Sequence, residues 1–447
     1  MSRAHGLPAA AIEALVDELG TDGRGVARID GKTVFVAGAL PGEKVSLRVR
    51  KRHRNYDEAD LVEVLTASPH RVEPPCAHYA ECSGCPLQHL STDMQVAGKQ
   101  RWLAENFTRI GKVAPTTWLP ALRSQPWAYR RRGRLSVRHV QKKGRVLAGF
   151  RERQNPRYVA EIRQCLVMHP ALGPKVGLLA DMLGTLHAVD SIPQVEFAAG
   201  DDTVALVFRH LQPLDAHDLD ALAAFGQQHD LAIYLQPSGI TSVHPLWPEA
   251  PRLAYRIHVD DGACADVELE FQPLDFVQVN GKLNQQMVGL ALRLLDLQPE
   301  DRVLDLFCGL GNFSLPLAQR AATVTGVEGE AALVERARAN AARNSIDNAH
   351  FQVANLFDPQ QAAEWARQPW DKLLLDPPRA GADQVLAYLP GAQTRRIVYV
   401  SCHAASLARD AGILVHQHGF TLQAAGVMDM FPHTAHVESI AVFQRSS

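Results

Sequence analysis

The 447-residue sequence holds three groups of side chains that could carry chemistry. The first centres on Cys402, which closes the apolar run Arg396-Ile397-Val398-Tyr399-Val400-Ser401. Such a run reads as a buried strand, and the C-terminal ends of parallel strands face a ligand crevice. A thiol there can act as a nucleophile if a cation or a helix N-terminus favours the thiolate. An inert buried thiol is the bland alternative. Asp376-Pro377-Pro378-Arg379 ends a neighbouring strand and offers Arg379 as the cation. The stretch His433-Thr434-Ala435-His436-Val437-Glu438-Ser439 offers Glu438 as a base, with His436 as its rival. Glu438 could equally be an exposed strand carboxylate.

The second group is Val303-Leu304-Asp305-Leu306-Phe307-Cys308-Gly309-Leu310-Gly311-Asn312-Phe313, a strand followed by a glycine-rich turn and a helix start. Glycines there let a ligand approach the backbone. Glu328 ends the next strand, 19 residues after Gly309, where an acid accepts hydrogen bonds from ribose hydroxyls. The third glycine of a dinucleotide fingerprint is missing, so the turn need not hold a pyrophosphate. Asn355 follows the third strand and Asp376 ends the fourth, so both should reach the same crevice. For Asn355, a plain turn residue is the alternative.

The third group is Cys76, Cys82 and Cys85, within ten residues of one another, with Cys165 some 80 residues on as the candidate fourth ligand. Seven cysteines are too few for a disulfide scaffold, so the cluster points to a metal site in a reducing compartment. Zinc and an iron–sulfur cluster both suit four thiolates.

These groups need elements to position them. Residues 14–68 read as short strands separated by glycine and proline, which suits an OB-like barrel. Its basic run Arg48, Arg50, Lys51, Arg52 and Arg54 fits phosphate contact. Residues 76–270 read as a central α+β unit, with part of 93–160 packing on the catalytic unit. Trp102, Leu103 and Phe107 mark a helix from Ser91 to Ile110. Arg130, Arg132 and Arg134 stand in a second basic run that extends to Arg145, where Arg134, Ser136 and Arg138 alternate with Leu135 and Val137 as on a strand with one basic face. A solvated hairpin is the alternative for that run. Residues 275–447 alternate strand and helix as a doubly wound α/β sheet.

The net charge of −2 hides an asymmetry. Residues 1–165 carry 28 Lys and Arg against 16 Asp and Glu, a net of +12, and the rest of the chain is correspondingly acidic. A basic front half suggests a polyanionic partner. No apolar run is long enough for a membrane span, and Met1 to Leu15 lack a leader pattern, so a cytoplasmic protein is expected.

Phe276-Val277-Gln278-Val279-Asn280, Asp305 to Phe313, Asp376-Pro377-Pro378-Arg379, Ser401-Cys402, Met430-Phe431-Pro432-His433-Thr434 and His436-Val437-Glu438 resemble the motifs of the RNA uracil-C5 methyltransferase family. The resemblance implies a Rossmann-like S-adenosylmethionine-dependent methyltransferase domain, with Gln278, Phe307, Asn312, Glu328, Asn355 and Asp376 around the methyl donor. It makes Cys402 the nucleophile, adding to carbon 6 of uracil so that carbon 5 can take the methyl group. It makes Glu438 the base that removes the carbon-5 proton. Phe276 would pack on the extruded base, and Arg130, Arg132 and Arg134 would face the RNA. The front barrel resembles a TRAM domain. The four-cysteine spacing resembles that of family members holding a [4Fe-4S] cluster, which favours Cys76, Cys82, Cys85 and Cys165 as its ligands. This combination resembles the branch acting on 23S ribosomal RNA; no obligate protein partner is evident. A different 23S or transfer-RNA uridine, or a non-catalytic RNA-binding redox sensor, are the other readings. One departure stands out: the family's Ser-Cys-Asn-Pro reads Ser401-Cys402-His403-Ala404 here, which puts the local turn geometry in question.

Overall fold

The computed structural model describes residues 10–259, 264–361, 363–389 and 393–445. Met1 to Ala9, part of the stretch read for a leader, and the last two residues of the expected 275–447 unit lie outside the described residues. Among the described residues no helix is long and apolar enough to cross a membrane.

Strands β1 (Ile12–Leu19), β2 (Gly25–Ile29), β3 (Lys32–Ala37), β4 (Lys44–Arg52) and β5 (Tyr56–Thr66) close into a barrel in the order β1-β2-β3-β5-β4. Their alternation turns Val16, Val34, Val36, Val45 and Leu47 into the small core and the basic residues of β4 outward. Arg48, Arg50, Lys51, Arg52 and Arg54 are all exposed. Glu43 anchors the exit of the barrel. Its buried carboxylate accepts from the Leu40 and Ser68 amides and from Arg71.

Helix α1 (Thr92–Asn106) and the two-residue strand β6 (Thr117–Trp118) follow. The central sheet then takes β7 (Arg132–Val140) and β8 (Arg145–Gly149), and, after α2 (Val176–Leu183), β9 (Gln194–Ala199) and β10 (Val204–Arg209). Helix α3 (Ala216–His229) leads to β11 (Ala232–Gln236) and β12 (His244–Trp247). The sheet order is β12-β11-β10-β9-β7-β8. A hairpin of β13 (Ala254–Ile257) and β14 (Val267–Glu270) links it onward.

The last part runs α4 (Gly281–Leu295), β15 (Arg302–Leu306), α5 (Ser314–Ala318), β16 (Thr323–Glu328), α6 (Ala331–Arg343), β17 (Ala349–Val353), α7 (Ala363–Ala366), β18 (Lys372–Leu375), α8 (Asp383–Leu386), β19 (Arg396–Ser401), α9 (Ala404–His416), β20 (Phe420–Met428) and β21 (Glu438–Arg445). The strands form one sheet in the order β17-β16-β15-β18-β19-β21-β20-β6. β15 through β19 are parallel, and β15, β16, β18 and β19 are almost wholly buried, as strands covered by helices on both faces must be, while the edge strand β17 is partly exposed. Strand order reverses between β15 and β18, and a crevice opens at their C-terminal ends.

Two features of this sheet were not read from the sequence. β21 inserts antiparallel between β19 and β20, and β6, some 300 residues earlier in the chain, pairs with β20 at the edge.

Candidate active site

Phe276, Gln278, Phe307, Asn312, Glu328, Asn355, Asp376, Cys402 and Glu438 all line one cavity of about 530 Å³. They come from strand ends and loops spread between residues 276 and 438, so sheet topology rather than sequence proximity assembles the site.

Its floor is the turn after β15. Phe307 leaves the strand with φ of +67° and Gly309 and Gly311 follow at +56° and +97°, a left-handed path that glycine takes without strain. The Phe307 and Cys308 amides donate to the Val327 carbonyl, tying the turn to β16. Glu328 is held by backbone donors: Gly309 N–H reaches Oε2 at 3.1 Å, and Gly329 and Glu330 N–H reach Oε1 at 2.7 and 3.1 Å. Beneath the turn Asp305 is fully buried, accepts from Ser314 Oγ at 2.5 Å, and is pushed by burial up to about 7.

Asn312 is fixed by residues that the sequence reading missed. Its amide and that of Asn284 on α4 donate to each other, at 3.0 and 2.9 Å, and Tyr255 Oη donates to Asn312 Oδ1 at 3.0 Å. Asn355 both lines the cavity and caps a turn through Phe357 N–H, so the turn and crevice readings coexist. Phe276 stands two-thirds exposed at the mouth. The preceding loop is pinned by Arg132, which donates to the Leu274 and Asp275 carbonyls, and by Arg336, which pairs with the Asp275 carboxylate at 2.5 Å.

Cys402 follows β19 directly and lies one residue before the N-cap of α9. The His403 departure resolves here: its side chain caps α9 by accepting from Ser406 N–H, a task asparagine performs in the same way. Ala404 takes the first helical position, where proline would need no N–H partner. Burial, then the charges of Glu438 and Asp376, push the Cys402 thiol up to about 11, while Arg379 opposes them. Asp376 itself lies well above the usual carboxylate range through burial and the neighbouring Glu438. Glu438 opens β21 opposite Met428 and is hydrogen-bonded by His436 Nε2 at 3.1 Å. Glu438 is among the residues lining the cavity and His436 is not.

The other expected site residues gather elsewhere. Cys76, Cys82, Cys85 and Cys165 line a second cavity of about 180 Å³, together with Arg130. None of the four is in a disulfide. Burial raises Cys82 and Cys165 and pushes Cys85 up to about 12. Arg130 also stacks over the Phe431 ring at 5.5 Å, and Arg134 is exposed beside Glu196 at 3.0 Å. Of these three arginines Arg134 is the exposed one, and Arg130 and Arg132 are half-buried.

Residues 257–446 match the family model described as tRNA (Uracil-5-)-methyltransferase, and residues 10–62 match the TRAM domain. A relative from Xanthomonas campestris pv. campestris, named 23S rRNA (uracil(1939)-C(5))-methyltransferase RlmD, is 57% identical over 96% of both chains. One of the same name from Xylella fastidiosa is 54% identical over the whole of both. The solved structure of a Pyrococcus abyssi tRNA (uracil-54, C5)-methyltransferase shares the fold, with a TM-score of 0.71 at 23% identity over 97% of this chain and 100% of that one. With relatives more than half identical along nearly its full length, the chain belongs to the RlmD family of 23S rRNA (uracil-C5)-methyltransferases.

Proposed function

We propose that the protein transfers the methyl group of S-adenosylmethionine to carbon 5 of a uridine in 23S ribosomal RNA, giving 5-methyluridine. The observation that carries this reading is the convergence of a thiol, a carboxylate and the polar donor-site residues on one cavity. Carbon 5 of uracil is a weak nucleophile. Addition of the Cys402 thiolate to carbon 6 pushes the ring's electron pair toward carbon 5, which attacks the methyl carbon and releases S-adenosylhomocysteine. Glu438 then takes the carbon-5 proton, the carbon 5–carbon 6 double bond re-forms, and the sulfur leaves with its electron pair.

Because the resting thiol is raised, activation must come with the reactants. A positively charged methyl donor in the cavity and Arg379 both favour the thiolate. Gln278, Phe307, Asn312, Glu328, Asn355 and Asp376 hold the donor in this reading, Glu328 as ribose acceptor. Phe276 stacks on the extruded base.

The thiol pocket fits a [4Fe-4S] cluster. Four half-buried thiols converge on it from two segments of chain. Four thiolates are the donor set that such a cluster takes. When bound, the cluster would crosslink the two segments. Residues 14–68 act as the RNA-binding barrel, 76–270 as the cluster-bearing unit and 275–447 as the catalytic unit, working on RNA in the cytoplasm.

Mass-spectrometric mapping of 5-methyluridine in ribosomal RNA with and without the gene tests the assignment. Loss of one 23S site supports it. Loss from transfer RNA, or no loss, overturns it.

A further inference from the structure

Lys99 is a lysine with no exposed side chain. Its Nζ donates to Asp429 Oδ1 at 2.6 Å and to the Phe431 carbonyl at 3.0 Å. Burying an ammonium group is costly, and it persists where partners satisfy it. Both partners lie on the loop between β20 and β21, which delivers Glu438 to the cavity. Gln95, one helical turn earlier on α1, receives His433 N–H at 2.8 Å and donates to the Leu87 and Leu90 carbonyls. The Phe431 ring meets His436 edge-on at 4.6 Å, and His436 bonds Glu438. A continuous run of contacts thus joins Lys99 to that carboxylate, while neither Lys99 nor Asp429 lines the cavity.

We propose that Lys99 is a positioning residue for the elimination step, setting the place of the Glu438 carboxylate through its grip on Asp429 and Phe431. This rests on the reading of Glu438 as base. In that step the carbon-5 proton passes to Glu438, its bonding pair restores the ring double bond, and the carbon 6–sulfur pair returns to Cys402. Carbon–sulfur addition and methyl transfer come earlier and do not use Glu438. Misplacing it therefore slows one half of the reaction.

The test uses the full chain, purified anaerobically, in single turnovers on a 23S RNA fragment with labelled methyl donor. Methyl incorporation and release of the covalent adduct are followed separately. Lys99→Met and the charge-neutral pair Lys99→Met/Asp429→Asn are compared with Glu438→Gln; the pair leaves no unpaired buried charge if the single variant folds poorly. The expected result is adduct release slowed by about tenfold or more, with methyl incorporation little changed. Equal slowing of both steps, or of neither, while Glu438→Gln holds the adduct, overturns the role of Lys99. Clean release by Glu438→Gln overturns the base reading and this proposal with it.

Discussion

His436 Nε2 lies 3.1 Å from Glu438 Oε1, so the two candidate bases form one hydrogen-bonded pair with the carboxylate in front. Glu438→Gln is expected to trap a methylated covalent RNA adduct, visible as a shifted band on a denaturing gel. His436→Ala should slow turnover by about tenfold without trapping, because it removes only an orienting partner. Trapping by His436→Ala and free turnover by Glu438→Gln would reverse the assignment.

The raised Cys402 thiol predicts slow alkylation of the free enzyme at neutral pH. Below a value of about 11 the thiolate fraction grows about tenfold per pH unit, so the rate should climb steadily from pH 7 to 10. Glu438→Gln removes a nearby negative charge and should speed alkylation at pH 8; Arg379→Ala should slow it. Iodoacetamide labelling read on the Cys402 peptide checks both signs. A flat profile from pH 7 would show that the thiolate already dominates.

Asp305 has its folded value raised from the ordinary 3.8 to about 7 by burial. Its contribution to stability is therefore full below about pH 4 and is lost as pH rises through 7. Asp305→Asn should raise the melting temperature at pH 8 by about 3 °C or more and change it less at pH 5. Calorimetry at the two pH values decides; an equal shift at both would contradict a titrating Asp305.

An anaerobic preparation should be brown and contain about four irons per chain, and Cys85→Ser should lose most of them. One zinc in a colourless protein would decide for the mononuclear site.

His403→Ala removes the α9 cap and should cost about 1 kcal/mol, whereas His403→Asn should keep stability and activity. Denaturant melts of the two variants separate capping from any direct part in the reaction.

Phe307, Glu328, Asn355, Asp376 and Cys402 were legible because each lies at or just past the end of a strand, which periodicity marks well, whereas Phe276 and Gln278 came from the family resemblance. What holds them was not. Asn284 lies in the first turn of α4 and looks like any polar helical position until the fold brings it to Asn312. Lys99 and Gln95 look like the polar face of α1, yet both are buried under a loop more than 300 residues away. For Arg132 the charge was visible and the partner was not: its guanidinium is spent on the Leu274 and Asp275 carbonyls. Strand β1 is hard to read because Glu13, Asp17 and Glu18 blur its alternation, although Val16 packs in the barrel core and Leu19 against Leu87, Leu90 and Trp102.

The pairing of Thr117–Trp118 with Ala424–Ala425 bears on how the molecule is made. During synthesis this early segment emerges with its partner strand still untranslated, and its backbone must wait for almost the entire remaining polypeptide before it is paired. Such a distant closure makes assembly slow and leaves the β6 segment open to holdase chaperones meanwhile. The same braid means that cutting the chain near residue 275 yields a sheet with a bare margin, a fragment apt to stick to its own copies rather than fold.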